Sequence, residues 1–333
     1  MKLTKRDFSF LVELDKNCRQ PLSAIAKRIK ISQQLASYKI KQYFEEHLIL
    51  SFIAFIDHVR FGYLNFRVYF KINYLSTEKF TALLKTLHNY PAITELVECG
   101  GKYDLIAVFA TLNPSEFNKR LRELIAKNPE QLKNYTILTT VVSHYYDRAY
   151  LIQTSKHTAT LFRDPTELNI VIGGDRSFLH LPKKDSSLLE FLQLDARLPS
   201  LILAKKIKKN PKTVRLRLQK LKEKKIVKSY RPIFNVQTVG FIVNKILLKY
   251  HNLYLEKEQE LLTFCRFNPN IVELIKVFGE WDLELTVETK TREEFRTVYI
   301  SIREKFEDII SDFESFPIFK THKKTFLPFS DLT

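Results

Sequence analysis

The chain has 333 residues with 54 Lys and Arg against 37 Asp and Glu, a formal net charge of +17, so a polyanionic partner is expected. That length allows two or three domains, and a hydrophobic content of 45% is enough to fill their cores, which excludes global disorder. The longest apolar run, Leu48 to Ile56, is half of the ~18 residues that a bilayer span requires, so no membrane association is expected.

The amino-terminal Met1-Lys2-Leu3-Thr4-Lys5-Arg6-Asp7 puts charge where a signal peptide needs its apolar core, which predicts a cytoplasmic protein. Cys18, Cys99 and Cys265 are too few and too scattered for a disulfide framework or a metal cluster, so buried thiols are expected and no metal. The chain contains no GxGxxG or GxxxxGK[ST] run, which argues against a bound nucleotide, and no cofactor is expected.

In chain order, Asp7, Leu11 and Leu14 carry helical spacing, a second short helix follows Pro21 with Leu22, Ile25, Ala26 and Ile29, and a third begins at Ser32, a good N-cap. Ala36, Ile40 and Tyr43 give this third helix its buried stripe, and Leu48 to Ile56 then reads as extended. Three short helices with a trailing hairpin make a winged helix-turn-helix. The patterns that follow are strand, helix, strand, strand, helix, strand: Phe66 to Asn73, Thr77 to Leu87, Ile93 to Cys99, Tyr103 to Thr111, Pro114 to Ala126 and Asn134 to Tyr146. This is the βαββαβ order of a ferredoxin-like module.

The same pattern then returns. At a constant offset of 178 residues, Leu3-x-Lys5-x-Asp7 matches Leu181-x-Lys183-x-Asp185, Arg19-x-Pro21 matches Arg197-x-Pro199, and Ala26-Lys27-x-Ile29-Lys30 matches Ala204-Lys205-x-Ile207-Lys208. The register holds through Pro91-x-Ile93-x-Glu95-Leu96 with Pro269-x-Ile271-x-Glu273-Leu274, and through Gly101-x-x-Asp104-Leu105 with Gly279-x-x-Asp282-Leu283. The fold class is therefore α+β, a tandem repeat of a winged helix-turn-helix plus a ferredoxin-like module. The expected boundaries are 1–60 and 181–238 for the helix-turn-helix domains, 61–152 and 239–329 for the βαββαβ modules, and 153–180 for a linker. Each four-stranded sheet has helices on one face only, so the two open faces are expected to cover each other in an intramolecular pseudo-dimer.

A winged helix-turn-helix followed by βαββαβ with a Gly-x-x-Asp turn resembles the leucine-responsive/AsnC (feast/famine) family of prokaryotic transcription regulators. The matching stretches are Ala26-Lys27-Arg28-Ile29-Lys30-Ile31-Ser32, Gly62-Tyr63, Cys99-Gly100-Gly101-Lys102-Tyr103-Asp104-Leu105 and, in the second copy, Gly279-Glu280-Trp281-Asp282. The resemblance implies a regulator that binds double-stranded DNA, not an enzyme. It also implies dimerisation through the βαββαβ (RAM-type) module and a small effector, such as an amino acid, near the Gly-x-x-Asp turn. Fusion of two copies departs from the usual single-copy chain and leaves open the effector's identity and any homo-oligomer beyond the pseudo-dimer.

Duplex affinity comes mainly from Lys and Arg on phosphates. Between Lys205 and Arg231 thirteen basic residues face Glu223 alone. Lys212, Thr213, Arg215 and Arg217 are expected in the major groove, with Lys220 and Lys225 on phosphates. The first copy offers Gln33, Gln34, Ser37, Lys39 and Lys41, chemistry that can read adenine with less electrostatic pull, unless this helix-turn-helix serves only as a packing module. Gly100, Gly101 and Asp104, with Gly279 and Asp282, are the candidate effector turns, and each equally suits a plain inter-strand turn.

Two other readings stand beside this one. Siroheme decarboxylases resemble the same regulators and use His and Arg on a βαββαβ pocket, for which His58, Arg60, His144 and Arg148 are the available residues. A sequence-neutral chromatin protein would share the charge and show little preference among DNA sequences.

Overall fold

The structure is a computed structural model that describes residues 3–73, 76–151, 169–251 and 254–328; residues 152–168, most of the expected linker, and 329, the expected end of the second module, lie outside these. The first copy runs α1 (Lys5–Lys16), α2 (Leu22–Ile29), α3 (Gln33–Glu45), β1 (Ile49–Ile56), β2 (Leu64–Lys71), α4 (Thr77–Asn89), β3 (Ile93–Cys99), β4 (Leu105–Thr111), α5 (Pro114–Lys127) and β5 (Asn134–Tyr145). A short β6 (Ile170–Gly173) adds to the edge of β5 and falls inside the expected linker. The second copy repeats the order as α6 (Lys183–Leu194), α7 (Ser200–Lys206), α8 (Pro211–Glu223), β7 (Val227–Phe234), β8 (Ile242–Tyr250), α9 (Leu255–Phe267), β9 (Ile271–Gly279), β10 (Leu283–Thr289), α10 (Arg292–Lys305) and β11 (Ile310–Lys324).

The expected wing hairpins are corrected by the structure. Each copy contributes a single strand, and β1 pairs antiparallel with β7 of the other copy, Ile53 opposite Arg231 and Ala54 opposite Tyr230. The reason lies in burial: Phe52 to Ile56 are all buried, so the strand needs cover on both faces and finds it between the two heads. Reciprocal hydrogen bonds lock this arrangement. The Cys18 amide donates to the Tyr230 carbonyl at 2.8 Å, and the equivalent Ala196 amide donates to the Phe52 carbonyl at 2.8 Å. The Arg19 guanidinium donates to the Ala196 carbonyl, and Arg197 returns the bond to Cys18. The repeated Arg-x-Pro motif thus fastens one head to the other.

The two βαββαβ sheets join edge to edge. Their hydrogen-bonded neighbours form the circuit β2-β4-β3-β11-β8-β10-β9-β5 and back to β2, a closed eight-stranded barrel whose two seams are β5–β9 and β11–β3. Closure leaves no free edges among these eight strands and turns both open faces inward. Strand alternation then sorts the side chains: Phe66, Val68 and Phe70 of β2 face outward under α4 and α5, whereas Arg67 and Tyr69 point into the barrel.

The barrel interior holds three cations, the buried Arg67 and Lys245 and the half-buried Lys324, and three buried carboxylates, Glu95, Glu273 and Glu284, so their charges cancel. Arg67 grips Glu284 with two bonds of 2.7 and 2.8 Å, and Lys324 bridges Glu95 at 3.1 Å and Glu273 at 3.0 Å. Burial alone would raise the Glu284 carboxyl, but Arg67 and Lys245 overcome it and hold the group below its ordinary value. Glu273 is likewise held far down against its burial by Lys245, Lys324 and Arg67.

Candidate nucleic-acid interface

In both heads the third helix is capped and pinned by equivalent residues. Ser32 Oγ accepts from the Leu35 amide at 3.1 Å, while Asn210 Oδ1 accepts from the Lys212 amide at 2.8 Å with Pro211 at the first helical position. Ala36 and Tyr43 bury one face of α3, as Val214, Leu218 and Leu221 bury one face of α8. Asp7 of α1 then anchors α3: it accepts from Tyr43 at 2.7 Å and pairs with Lys39 at 3.0 Å. Burial would raise the Asp7 carboxyl, yet hydrogen bonds from Thr4, Tyr43 and Lys39 hold it at about 2.

The expected contact residues divide accordingly. Gln33, Gln34, Ser37 and Lys41 are exposed on α3, and Lys212, Arg215 and Lys220 are exposed on α8, with Thr213 half-buried and Lys225 exposed in the turn beyond. Lys39 and Arg217 lie elsewhere. They occupy equivalent positions at the edge of the buried stripe, where Lys39 reaches Asp7 and Arg217 reaches Asp185, so both cations are engaged in holding a helix pair together. Two residues outside the expected set take the middle of the exposed faces: Tyr38, 61% exposed, and Leu216, 51% exposed. Each stands two residues beyond a buried anchor, about 200° around the helix at 3.6 residues per turn, and that spacing was legible in the sequence.

Electrostatically the heads are unlike. From α7 through the turn after α8, Lys205, Lys208, Lys212, Arg215, Lys220 and Lys222 are exposed, and Glu223 is the one acid in that stretch. On α3, Lys41 pairs with Glu45 at 3.6 Å, and Glu46 follows. Phosphate attraction therefore concentrates on the second head.

The Gly-x-x-Asp turns meet at one end of the barrel. Asp104 accepts from the Ile72 amide at 2.7 Å and from Lys71 at 3.2 Å, and Asp282 accepts from the Tyr250 amide at 2.8 Å and from Lys249 at 3.4 Å. Lys102 bridges the turns, 3.4 Å from Glu280 and 5.1 Å above the Trp281 ring. Gly279 has φ +146°, and a Cβ there would lie 3.0 Å from the Ile137 carbonyl oxygen across the seam. Gly279→Ala should therefore cost about 1–3 kcal/mol in chemical denaturation. At Gly100 a Cβ would meet only the tip of the exposed Phe319 ring, which can rotate away, so Gly100→Ala should cost much less.

A family model described as winged helix-turn-helix DNA-binding matches residues 181–228. The HTH-type transcriptional regulator FL11 of Pyrococcus furiosus is 26% identical over 149 residues, which cover 91% of that regulator and 42% of this chain. Its namesake from Pyrococcus horikoshii is 26% identical over 136 residues, covering 88% of the regulator and 41% of this chain. A crystal structure of the siroheme decarboxylase NirDL superposes over 98% of this chain and 94% of its own with a TM-score of 0.60 at 14% identity, a likeness of fold. The chain carries twice a winged helix-turn-helix followed by a ferredoxin-like βαββαβ module.

Within this doubled fold, the four residues that a decarboxylase would use do not converge on one cavity. His58 is buried in the turn after β1, and burial holds its imidazole down at about 4 against the pull of Asp57. Arg60 donates to the Lys224 carbonyl at 2.5 Å. His144 lies on β5, 3.4 Å from Asn169, and burial lowers it too. Only Arg148 lines the cavity at the barrel's open end, a space of about 100 Å³ between β7 and the strands. Its guanidinium is committed there to Glu288, at 2.9 and 3.0 Å, and to Asp15 at 3.3 Å. Arg231 of β7 enters the same cavity and donates to the Tyr146 carbonyl at 2.9 Å. The three thiols are buried, and burial pushes Cys99 up to about 12. No helix among the described residues is long and apolar enough to cross a membrane.

Proposed function

We propose that the protein is a cytoplasmic, sequence-specific transcription regulator, not an enzyme, in which the two copies form an intramolecular pseudo-dimer presenting two unlike reading heads to one DNA duplex. The observation that carries this reading is the pair of equivalent helices, α3 and α8, each exposing polar or basic side chains opposite its buried stripe. Reciprocal bonds across β1 and β7 hold the heads at one spacing, which is what recognition of two half-sites requires. Of His58, Arg60, His144 and Arg148 only Arg148 lines the cavity, and its guanidinium is already held by Glu288 and Asp15, which favours a regulator over the decarboxylase reading.

An amino-acid-sized effector at the Gly-x-x-Asp turns would share Asp104 and Asp282 with Lys71 and Lys249, since each carboxylate keeps acceptor capacity beyond its two bonds. The Lys102 bridge to Glu280 and Trp281 suits the same turns to closing the barrel. Selection from a random-sequence duplex pool at two salt concentrations tests the whole reading. An asymmetric motif with a steep salt dependence is expected. A perfect palindrome would overturn the unlike heads, salt-dependent binding without a motif would point to an architectural protein, and no binding would overturn DNA recognition itself.

A further inference from the structure

We propose that Leu216 reads thymine in the half-site of the second head, by packing its side chain on the base's 5-methyl group; this rests on the DNA-binding reading above. Leu216 is 51% exposed at the centre of the free face of α8, opposite the stripe of Val214, Leu218 and Leu221. Its neighbours at i−4 and i+4 are Lys212 and Lys220, and Gln219 stands at i+3, while its other side borders a groove that Leu179, Leu181 and Pro182 also line, so one exposed leucine projects beside strongly basic side chains.

A phosphate offers such a side chain nothing, and leucine can neither donate nor accept a hydrogen bond. Among the groups that line the major groove, the one apolar feature is the thymine methyl, which hydroxyl-free side chains recognise by contact. The flanking lysines are long enough to reach the backbone on either side while the shorter leucine points at the base edges.

The other head makes a control within the same chain. The position equivalent to Leu216 is Tyr38, 61% exposed, with Gln34 and Gln42 at i−4 and i+4. Amide side chains pair with adenine through hydrogen bonds, so the first half-site is read by polar contacts and the second by apolar contact with a methyl group.

The test uses the full chain and the duplex recovered by selection, with each thymine of either half-site replaced in turn by deoxyuridine, which lacks only the methyl. Loss of a buried methyl corresponds to roughly a fourfold weakening. We expect a drop of about that size at one or two positions of the second half-site. In Leu216→Ala, whose exposed position leaves folding intact, thymine and uracil should bind equally there, while Leu216→Met should retain the preference. Discrimination that survives in Leu216→Ala, or that is absent from the natural chain, overturns the proposal while leaving DNA recognition standing. Absence of all DNA binding overturns both.

Discussion

Arg67→Ala should destabilise the protein by about 3–5 kcal/mol, the range for removing one partner of a buried ion pair, as read from the midpoint of urea unfolding. Glu284 is fully buried and takes two bonds from Arg67, a hydrogen bond from Tyr69 and a contact from Lys245. Truncating Arg67 strands that carboxylate in a low-dielectric interior and also removes a counter-charge from Glu95, 3.5 Å away. The natural chain should be acid-sensitive for the same reason. The folded-state pKa values of Glu273 and Glu284 are depressed below the ordinary 4.5, so their stabilisation is full above that value and is lost as pH falls through the folded-state values. In Arg67→Ala, Glu284 loses its main counter-ion and its pKa rises, so the onset of acid unfolding should move to higher pH. Replacing both members, Arg67→Met with Glu284→Leu, should recover much of the loss, because an apolar pair leaves no uncompensated charge between them. A single variant within about 0.5 kcal/mol of the natural chain would mean that water reaches this network.

How the barrel interior escaped a linear reading is a matter of alternation. A strand that reads Phe66-Arg67-Val68-Tyr69-Phe70 has the pattern of a sheet with one dry and one wet face, and charge on the second face suggests solvent. Burial of Arg67 follows only when the other copy's sheet closes over it, and the acid opposite, Glu284, stands where the first copy has Ile106, so the repeat itself gives no hint of the pair. The wings failed for a related reason: pairing in trans between β1 and β7 leaves no turn signal to find. The elements themselves were legible, because helical stripes, N-caps and the 178-residue register are local or periodic facts. Lys39 and Arg217, expected as DNA contacts, carry in the sequence the signal for their structural role instead. They stand 178 residues apart, as do Asp7 and Asp185, and a repeated acid with a repeated base marks a conserved spacing within the fold more readily than a base contact.

That distinction separates two sets of basic residues on α8. Changing Lys212, Arg215 and Lys220 together to Ala removes exposed charges that have no acidic partner within salt-bridge distance among the described residues, so folding should be unaffected. If all three touch phosphate, the slope of log affinity against log salt should fall by about 2.7, since each phosphate contact contributes ~0.9. At 0.1 M salt this amounts to a loss on the order of a hundredfold or more. Arg217→Ala should behave in the opposite way. It breaks the pair with half-buried Asp185, so its effect should appear in the unfolding midpoint, with the salt slope little changed. The same split should hold in the first head, where Lys39→Ala loosens α3 from Asp7. If instead Arg217→Ala lowers the salt slope and leaves stability intact, α8 must turn on the DNA so that its Asp185 edge faces the phosphates, and Leu216 would then leave the floor of the groove.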